Sequence, residues 1–590
     1  MTDEKKSDRN TMGTRHRAGR IPVTIRLKVR AGGLRADAVV GVMKSWDPEL
    51  RHQVEQDPAY PPIRVQPPRS QRQNEEFASG RSELVIIRAW VDPKYFELLR
   101  TAPSVDHIER DARVQPFTAR RAANALREDS PRVVCATANR ADGDVAAVIR
   151  ALGVNRLHAR GITGAGVVVG VVDGGITAHG RPVKADAWPQ IPRAPAVGAV
   201  IGGWPLDWGT TAEGWGEHGN MIAFDVQAMA PEAELWDIRI WQPEVDFDSY
   251  VINAVHGFRL AIDHFRAQGV PQILVNSWGV YDSDTSPDYA FNPTSNITLH
   301  VEEAIDAGML VLFAAGNCGE GCPIDNGSLC GIGNRGPGAS ILGPNGHPDV
   351  MTVGAATLHG DWCGYTSQGP AVLPPNDPDK PDFCGISQFE GFFPNDSGLR
   401  PWDGGTSAAN AIVAGVTALL RQVRPELRQD ECRQVLRATA RRIRTPAAHD
   451  GVVLGAGRRN EGLLGWVGDL APFRAKVEAE DAWGRQAITV VIDDGNGYRS
   501  IYAHLGLAVV KRGETVAAGD LVGYQGASGN ATGCHLHYAL FDPRDEGRLT
   551  LEAKTAFKTR LPAQEIARID PLLVLPPLEA GGVTWGWGAR

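Results

Sequence analysis

The chain has 590 residues, room for roughly three or four domains at about 150 residues each, and its 43% hydrophobic and 22% charged residues with 67 glycines and 40 prolines describe a loop-rich globular protein. A net charge of -8 argues against a general nucleic-acid binder, and eight cysteines over this length do not make a disulfide scaffold. No apolar run of about eighteen residues predicts a membrane span. The charged start MTDEKKSDRNTMGTRHRAGR lacks the apolar core of a signal peptide, so cytoplasmic residence is expected, with non-standard export left open.

Residues 1–20 read as a disordered polar tail. Ile21, Val23, Ile25, Leu27 and Val29 then alternate with polar residues or proline, the period of a half-buried strand. A polar, proline-rich stretch from about Asp47 to Gly80 follows, an insertion before the second strand, SELVIIRAWV. Asp92 and Pro93 open a short helix carrying Tyr95, Leu98 and Leu99, and LRTAPSVDHIERDARVQPF returns as a strand. Residues 21–117 are therefore a small α+β domain, and the Arg- and Ala-rich residues 118–149 a connector.

From about 150 to 440 strands and helices alternate, as a doubly wound parallel sheet requires: VVVGVV, AELWDIRI, a helix near 249–267, ILVNSWG, a helix near 301–307, MLVLFAAGN, and a last pair of helices containing Ser407 and Cys432. This α/β domain is expected to span 150–476. Beyond it, AITVVID, YRSIYAHL, AVVKRGETVAAGDLVGYQG and HLHYALFDP predict an all-β domain over 477–576, and 577–590 is a tail.

Chemistry gathers at the ends of these elements. The apolar run Val167–Val172 stops on Asp173 and two glycines, as a buried parallel strand does when it delivers a carboxylate to the sheet's carboxyl edge. GGTSAANAIVAGVTALL places Ser407 after Gly404, Gly405 and Thr406, at the start of an apolar helix. Between them, His218 in EHGNM precedes a helix-like run, and the order Asp, His, Ser is one of the known orders of a catalytic triad. FAAGN ends on Asn317, a side-chain amide suited to receive an oxyanion.

Together VVDGG, EHGNM, GGTSAANAIVAG and AAGN resemble the motifs of the subtilisin-like serine peptidases, over about 155–440. The resemblance implies a serine endopeptidase acting on proteins or peptides with Asp173, His218, Ser407 and Asn317 as catalytic residues, and no cofactor at the serine site. It also implies that Ser277, Trp278 and Gly279 of NSWG pair with an extended peptide, facing Ala314, Ala315 and Gly316 across the primary specificity pocket. Calcium is common in the family, but no site for it is evident. Gly174, Asn220, Met221, Asn410 and Ala411 depart from the family pattern without removing a proton-transfer group.

The flanks carry two further resemblances. LRTAPSVDHIERDARV is similar to the end of the family's inhibitory propeptide, which implies that the N-terminal domain inhibits its own enzyme and that the chain is cut between about Val114 and Pro131. The C-terminal domain resembles the later half of the lysostaphin-like (M23) metallopeptidases, with His504, His535 and His537 at the family's catalytic and metal-binding positions. The upstream His-x-x-x-Asp pair that completes that family's zinc site is missing, so a truncated, metal-free domain used for binding or packing is expected. A scaffold protein that binds peptide or glycan, or a bifunctional serine and zinc cell-wall peptidase, are the alternatives. Cys318, Cys322 and Cys330, spaced C-x3-C-x7-C, leave zinc, a loop disulfide or free thiols open, with the disulfide favoured.

Overall fold

The computed structural model describes residues 19–30, 36–117, 141–182, 197–211, 215, 217–241, 249–320, 329–393, 402–442, 462–463, 488–493, 499–511, 514, 516, 520–526, 528, 536–542 and 567–569. They fall into two compact units, Met1–Arg433 with Ala440–Gly468, and Gln434–Thr439 with Asp469–Arg590.

In the first unit, β1 (Ile21–Arg30), β2 (Val54–Gln56), β3 (Ile63–Val65), β4 (Ser82–Val91) and β5 (Val105–Arg110) form an antiparallel sheet in the order β2-β4-β1-β5, with β3 also on β4. Alternation separates its two faces. Val23, Ile25, Leu27, Val85, Ile87 and Ala89 pack beneath α1 (Ala36–Lys44) and α2 (Phe96–Arg100) through Val39 and Leu99. From the opposite face Leu84 and Ile86, with Ile63 and Val65 of β3, join the core of the following α/β domain. The proline-rich stretch 47–80 therefore holds two strands that the sequence reading did not resolve, each only three residues long.

After β6 (Arg113–Pro116) comes the nine-stranded sheet of the α/β domain. Its strands are β7 (Val168–Asp173), β8 (Val200–Trp204), β9 (Glu234–Arg239), β11 (Ile273–Asn276), β13 (Leu310–Ala314), β14 (Met351–Ala356), β15 (Phe383–Ile386), β16 (Arg441–Arg442) and β17 (Gly462–Leu463). They run in the order β16-β17-β15-β14-β13-β11-β7-β9-β8, parallel except for β16 against β17. Two short strands lie outside this sheet, β10 (Ser249–Tyr250) and β12 (Trp278–Gly279). From β7 the chain passes to β8 at the edge, comes back to β9 beside β7, and then crosses to β11 on the other side. The carboxyl ends of β7 and β11 thus flank a topological switch point, where open α/β sheets form their crevice. The longer helices here are α3 (His218–Met229), α4 (Val251–Gln268), α5 (Asn296–Ala307), α6 (Gly405–Val423) and α7 (Gln429–Thr439).

Two carboxylates dock the N-terminal sheet on α4 and α5. Glu109 Oε1 accepts the Asn296 N–H at 3.1 Å, and Asp111 Oδ1 accepts the Ile252 N–H at 3.0 Å, satisfying first-turn donors that have no partner within their helices. Asp111 Oδ2 also accepts from Arg88 Nε at 2.8 Å, while Arg88 Nη1 donates to Asp57 at 2.5 Å. The guanidinium lies 4.7–5.0 Å from the ring centroids of Tyr60, Trp90 and Tyr250. Burial outweighs Arg88 and pushes the Asp111 carboxyl up to about 6.

In the second unit, β18 (Ile488–Asp493), β19 (Arg499–Ala508), β20 (Gly523–Gln525), β21 (His537–Asp542) and β22 (Ala567–Ile569) pair antiparallel in the order β18-β19-β21-β22, with β20 on β19. Val490, Ile492, Leu505 and Val510 form its core.

Removing the cation from a buried carboxylate pair strands both partners. Arg88→Ala should therefore cost about 3–5 kcal/mol of stability, read from the denaturant midpoint. A loss below about 1 kcal/mol would show that Asp57 and Asp111 do not depend on Arg88.

Candidate active site

Asp173 ends β7 fully buried, and its Oδ1 accepts the Gly174 N–H at 2.7 Å. His218 is the first residue of α3, and its Nδ1 faces the two Asp173 oxygens at 2.8 and 3.0 Å. A proton on Nδ1 satisfies that contact and makes Nε2 an acceptor. Nε2 is buried without a hydrogen-bond partner among the described residues. This approach needs bare backbone: a Cβ on Gly219 would lie 2.3 Å from the Gly175 carbonyl oxygen. Asn220, one of the departures from the family pattern, accepts the Thr177 N–H at 2.8 Å and ties α3 to the segment after β7.

Ser407 lies in the first turn of α6, beyond Gly404 and a left-handed Gly405 (φ 75°). N–H groups in that turn lack helical partners. Thr406 fixes the neighbouring Asn317: its N–H and hydroxyl donate to Asn317 Oδ1 at 2.9 and 3.0 Å. A backbone N–H can only donate, so the amide orientation is set, and Asn317 Nδ2 is left buried without an acceptor among the described residues. Asn410, a second departure, donates to the Asn276 carbonyl at 2.9 Å and to Ser277 Oγ at 3.2 Å, holding α6 against the end of β11.

The cleft between these groups holds the chain's own segment. β6 pairs antiparallel with β12 on one side (Pro116 opposite Trp278, Gln115 opposite Gly279) and with β10 on the other (Val114 opposite Ser249). The Phe117 N–H donates to the Ser277 carbonyl at 2.9 Å, and Tyr281 Oη donates to the Pro116 carbonyl at 3.0 Å. Ser407 Oγ donates to the Phe117 carbonyl oxygen at 2.7 Å, and to that of Ser277 at 3.2 Å, rather than to His218. The Phe117 ring is buried against Ala314 and Tyr281. Ala315 donates its N–H to the Val353 carbonyl at 2.8 Å, and the Gly316 N–H donates to Thr406 Oγ1 at 3.2 Å. Asn345 braces the two walls, donating to the carbonyls of Trp278 and Ala314 at 2.9 and 3.0 Å. Phe117, Tyr281 and Asn345 carry no motif of their own, and Thr406 stands inside the serine motif with no side-chain role that the motif assigns. Only the departures at Asn220 and Asn410 hinted that polar side chains there do a positional job.

Residues 164–466, just over half of the 590, match the sequence family described as the subtilase family. The chain belongs to the subtilase family. It is a serine-type endopeptidase, with peptide as its substrate and no cofactor required at the serine site. The thermostable alkaline protease of Halalkalibacterium halodurans is 22% identical over 384 residues, 64% of this chain and 84% of that protein. Residues 440–548 match peptidase family M23. There, 79 residues are 37% identical to the peptidoglycan DD-endopeptidase ShyA of Vibrio cholerae, covering 13% of this chain and only 18% of that protein's length. Among solved structures, fervidolysin from Fervidobacterium pennivorans is similar at a TM-score of 0.44 and 16% identity, covering 89% of this chain and 76% of that one. Among the described residues no helix is long and apolar enough to cross a membrane.

The remaining expected site residues lie in the M23-like unit. His504, at φ 61° on β19, has Nδ1 2.8 Å from the Ser528 carbonyl oxygen. His537 begins β21 opposite Ala503, and His535 lies outside the described residues. The described residues include no group of three or more His, Cys, Asp or Glu fit to hold a metal ion. Residues 1–18 of the tail expected at 1–20, the tail expected at 577–590, and most of the connector at 118–149 also lie outside them. The structure joins Cys318 to Cys330 as a disulfide, and Cys322 is outside the described residues.

One acid pair links the helix of His218 to the segment just before the helix of Ser407. Asp225 of α3 is fully buried beside Asp403, and no donor among the described residues reaches its oxygens. Asp403 already accepts the N–H groups of Phe392 and Phe393 at 2.6 and 2.9 Å, so the proton that joins the two acids belongs on Asp225. Burial, reinforced by the Asp403 carboxylate, holds Asp225 well above the usual carboxylate range. A raised folded value favours folding at low pH, and that contribution is lost as pH rises from about 4 through the raised value. In a pH series of denaturation midpoints, Asp225→Asn should decline less than wild type on the alkaline side; parallel curves would contradict the assignment.

Proposed function

We propose that Ser407 is the nucleophile of this endopeptidase, and that residues 21–117 are a self-inhibiting prosegment cut between Phe117 and Thr118. The observation that carries this reading is the Phe117 carbonyl, held 2.7 Å from Ser407 Oγ at the end of a strand paired on both edges. A strand added between two cleft strands is how an extended peptide gains backbone hydrogen bonds while its side chains enter pockets.

In this reading Ser407 Oγ turns toward the vacant acceptor His218 Nε2 and gives up its proton as it attacks the Phe117 carbonyl carbon. Asp173 keeps the ring in the required tautomer and stabilises its charged form. Negative charge develops on the carbonyl oxygen, and the unpartnered Asn317 Nδ2 and the Ser407 N–H are its donors; such a side-chain donor contributes about 2.7–4 kcal/mol in a subtilisin. His218 then passes its proton to the departing amine of Thr118, and water repeats the sequence to free the Phe117 carboxylate. That product stays in the cleft, since the contacts of β6 and the docking carboxylates do not depend on the cut bond.

For the C-terminal domain we propose binding rather than hydrolysis. Its likeness to a peptidoglycan endopeptidase points to cell-wall peptides as the ligand class. Upstream of His504 the only histidine in the matched segment is His449, followed at once by Asp450 and by no aspartate at the fourth position. A zinc-bound water needs three protein ligands, which the later half of such a site does not supply.

Mass spectrometry of the purified full chain should find cleavage after Phe117, and Ser407→Ala should leave the chain whole and folded. An intact connector in active wild-type protein, or the same cut in Ser407→Ala, would overturn the reading. Metal analysis of the full chain should find no stoichiometric zinc, whereas one zinc per chain would restore hydrolysis to the C-terminal domain.

A further inference from the structure

The pocket that holds the Phe117 ring is walled on one side by a covalent bond. Phe117, Tyr281, Ala314, Cys318 and Cys330 form one buried apolar cluster, with Leu329 packed against it. Cys318 and Cys330 are disulfide-bonded, their Cα atoms 5.9 Å apart. Tyr281 meets the Phe117 ring edge to face at 5.3 Å and 77°. The other walls are bare backbone: a Cβ on Gly279 would stand 2.6 Å from the ring's Cζ, and one on Gly316 would stand 3.5 Å from it. The space therefore fits a flat ring between glycines, closed by sulfur.

The two cysteines are held unequally. Cys318 follows β13, its N–H donating to Ser367 Oγ at 3.1 Å and its carbonyl accepting from Gly336 at 2.8 Å, while Gly319 donates to the Tyr365 carbonyl at 2.8 Å. On the opposite arm the Gly331 N–H donates to the Tyr281 carbonyl at 2.9 Å. Three residues further on, Asn334 Oδ1 accepts the Ser283 N–H at 2.8 Å, and among the described residues the disulfide is the covalent tie from the Leu329–Cys330 arm to the end of β13. Without it, the arm can withdraw from the ring while Cys318 stays in place.

We propose that the Cys318–Cys330 disulfide is a specificity-determining element, holding the wall that selects an aromatic side chain immediately before the scissile bond. This rests on the peptidase reading above. Dispersion contact decays within an ångström of separation, so a large ring loses packing when the wall withdraws, whereas an alanine methyl that does not reach the wall loses nothing. Opening the bond thus acts on the ratio of the two substrates rather than on hydrolysis as such. A dithiol opens it by thiol–disulfide exchange: two electrons and two protons pass to Cys318 and Cys330, which become thiols, and the reagent leaves as its cyclic disulfide.

The test compares kcat/KM on two peptide p-nitroanilides that differ only in Phe or Ala before the scissile bond. Rates are normalised to Ser407 titrated with a fluorophosphonate. Wild type should prefer Phe, and the double variant Cys318→Ser, Cys330→Ser should lose about tenfold or more of that preference per titrated site. Should the double variant fail to fold, dithiothreitol treatment of the folded wild-type enzyme replaces it, with the preference falling on reduction and returning on reoxidation. An unchanged ratio at equal titre, or a ratio indifferent to the dithiol, overturns the disulfide's role while leaving the peptidase intact. No fluorophosphonate labelling of wild-type Ser407 identifies the other failure: the peptidase reading falls, and this proposal with it.

Discussion

The geometry of the cleft depends on two carboxylates set two residues apart on one stretch of chain. Glu109 and Asp111 each receive a first-turn N–H, one from α5 and one from α4, so a single extended segment is fixed to two helices at once. Such helix-end contacts are modest, up to about 2 kcal/mol each when partly buried, but they are directional. From Asp111 the chain runs extended for six residues, about 20 Å at roughly 3.3 Å per residue, and ends at Ser407. A docking error of one residue would put every alternate side chain on the wrong face of β6, so the two caps also set which residue enters the pocket.

The parallel sheet supplies the complementary constraint. Because β7, β11 and β13 point the same way, Asp173, Ser277 and Asn317 arrive at one edge although more than a hundred residues separate the first from the last. Helices α3 and α6 then present His218 and Ser407 from their N-terminal ends. Precision comes from supporting groups: Thr406 orients Asn317, Asn410 ties α6 to β11, and the Asp225–Asp403 pair joins the segments before and within the two helices.

Much of this was legible in the sequence where an apolar run stops on a reactive side chain. Asp173 and Asn317 stand at such stops, His218 and Ser407 stand where an apolar helix begins, and the α/β alternation placed all four on a common edge. Strand β8, VIGGW, escaped because its two glycines interrupt any period, and β2 and β3 because three residues are too few to show one. Phe117 escaped for a different reason. Its environment is made by strand pairing with Ser249 and with Trp278, more than 130 residues away, and nothing local in VQPF records that. The disulfide was open for the same reason, since three nearby cysteines allow several pairings and only the path of the loop chooses Cys318 with Cys330.

The seating of Phe117 bears on how the molecule behaves at different concentrations. While the connector is whole, the occupant of the cleft is tethered to it, and its local concentration is set by chain geometry rather than by how much protein is present. Filling of the cleft is then first order and indifferent to dilution. Once the tether is lost, the same contacts become an ordinary bimolecular equilibrium, and dilution begins to empty the cleft. A single covalent bond therefore separates a regime in which a crowded and a sparse solution behave alike from one in which the filling of the cleft follows the concentration.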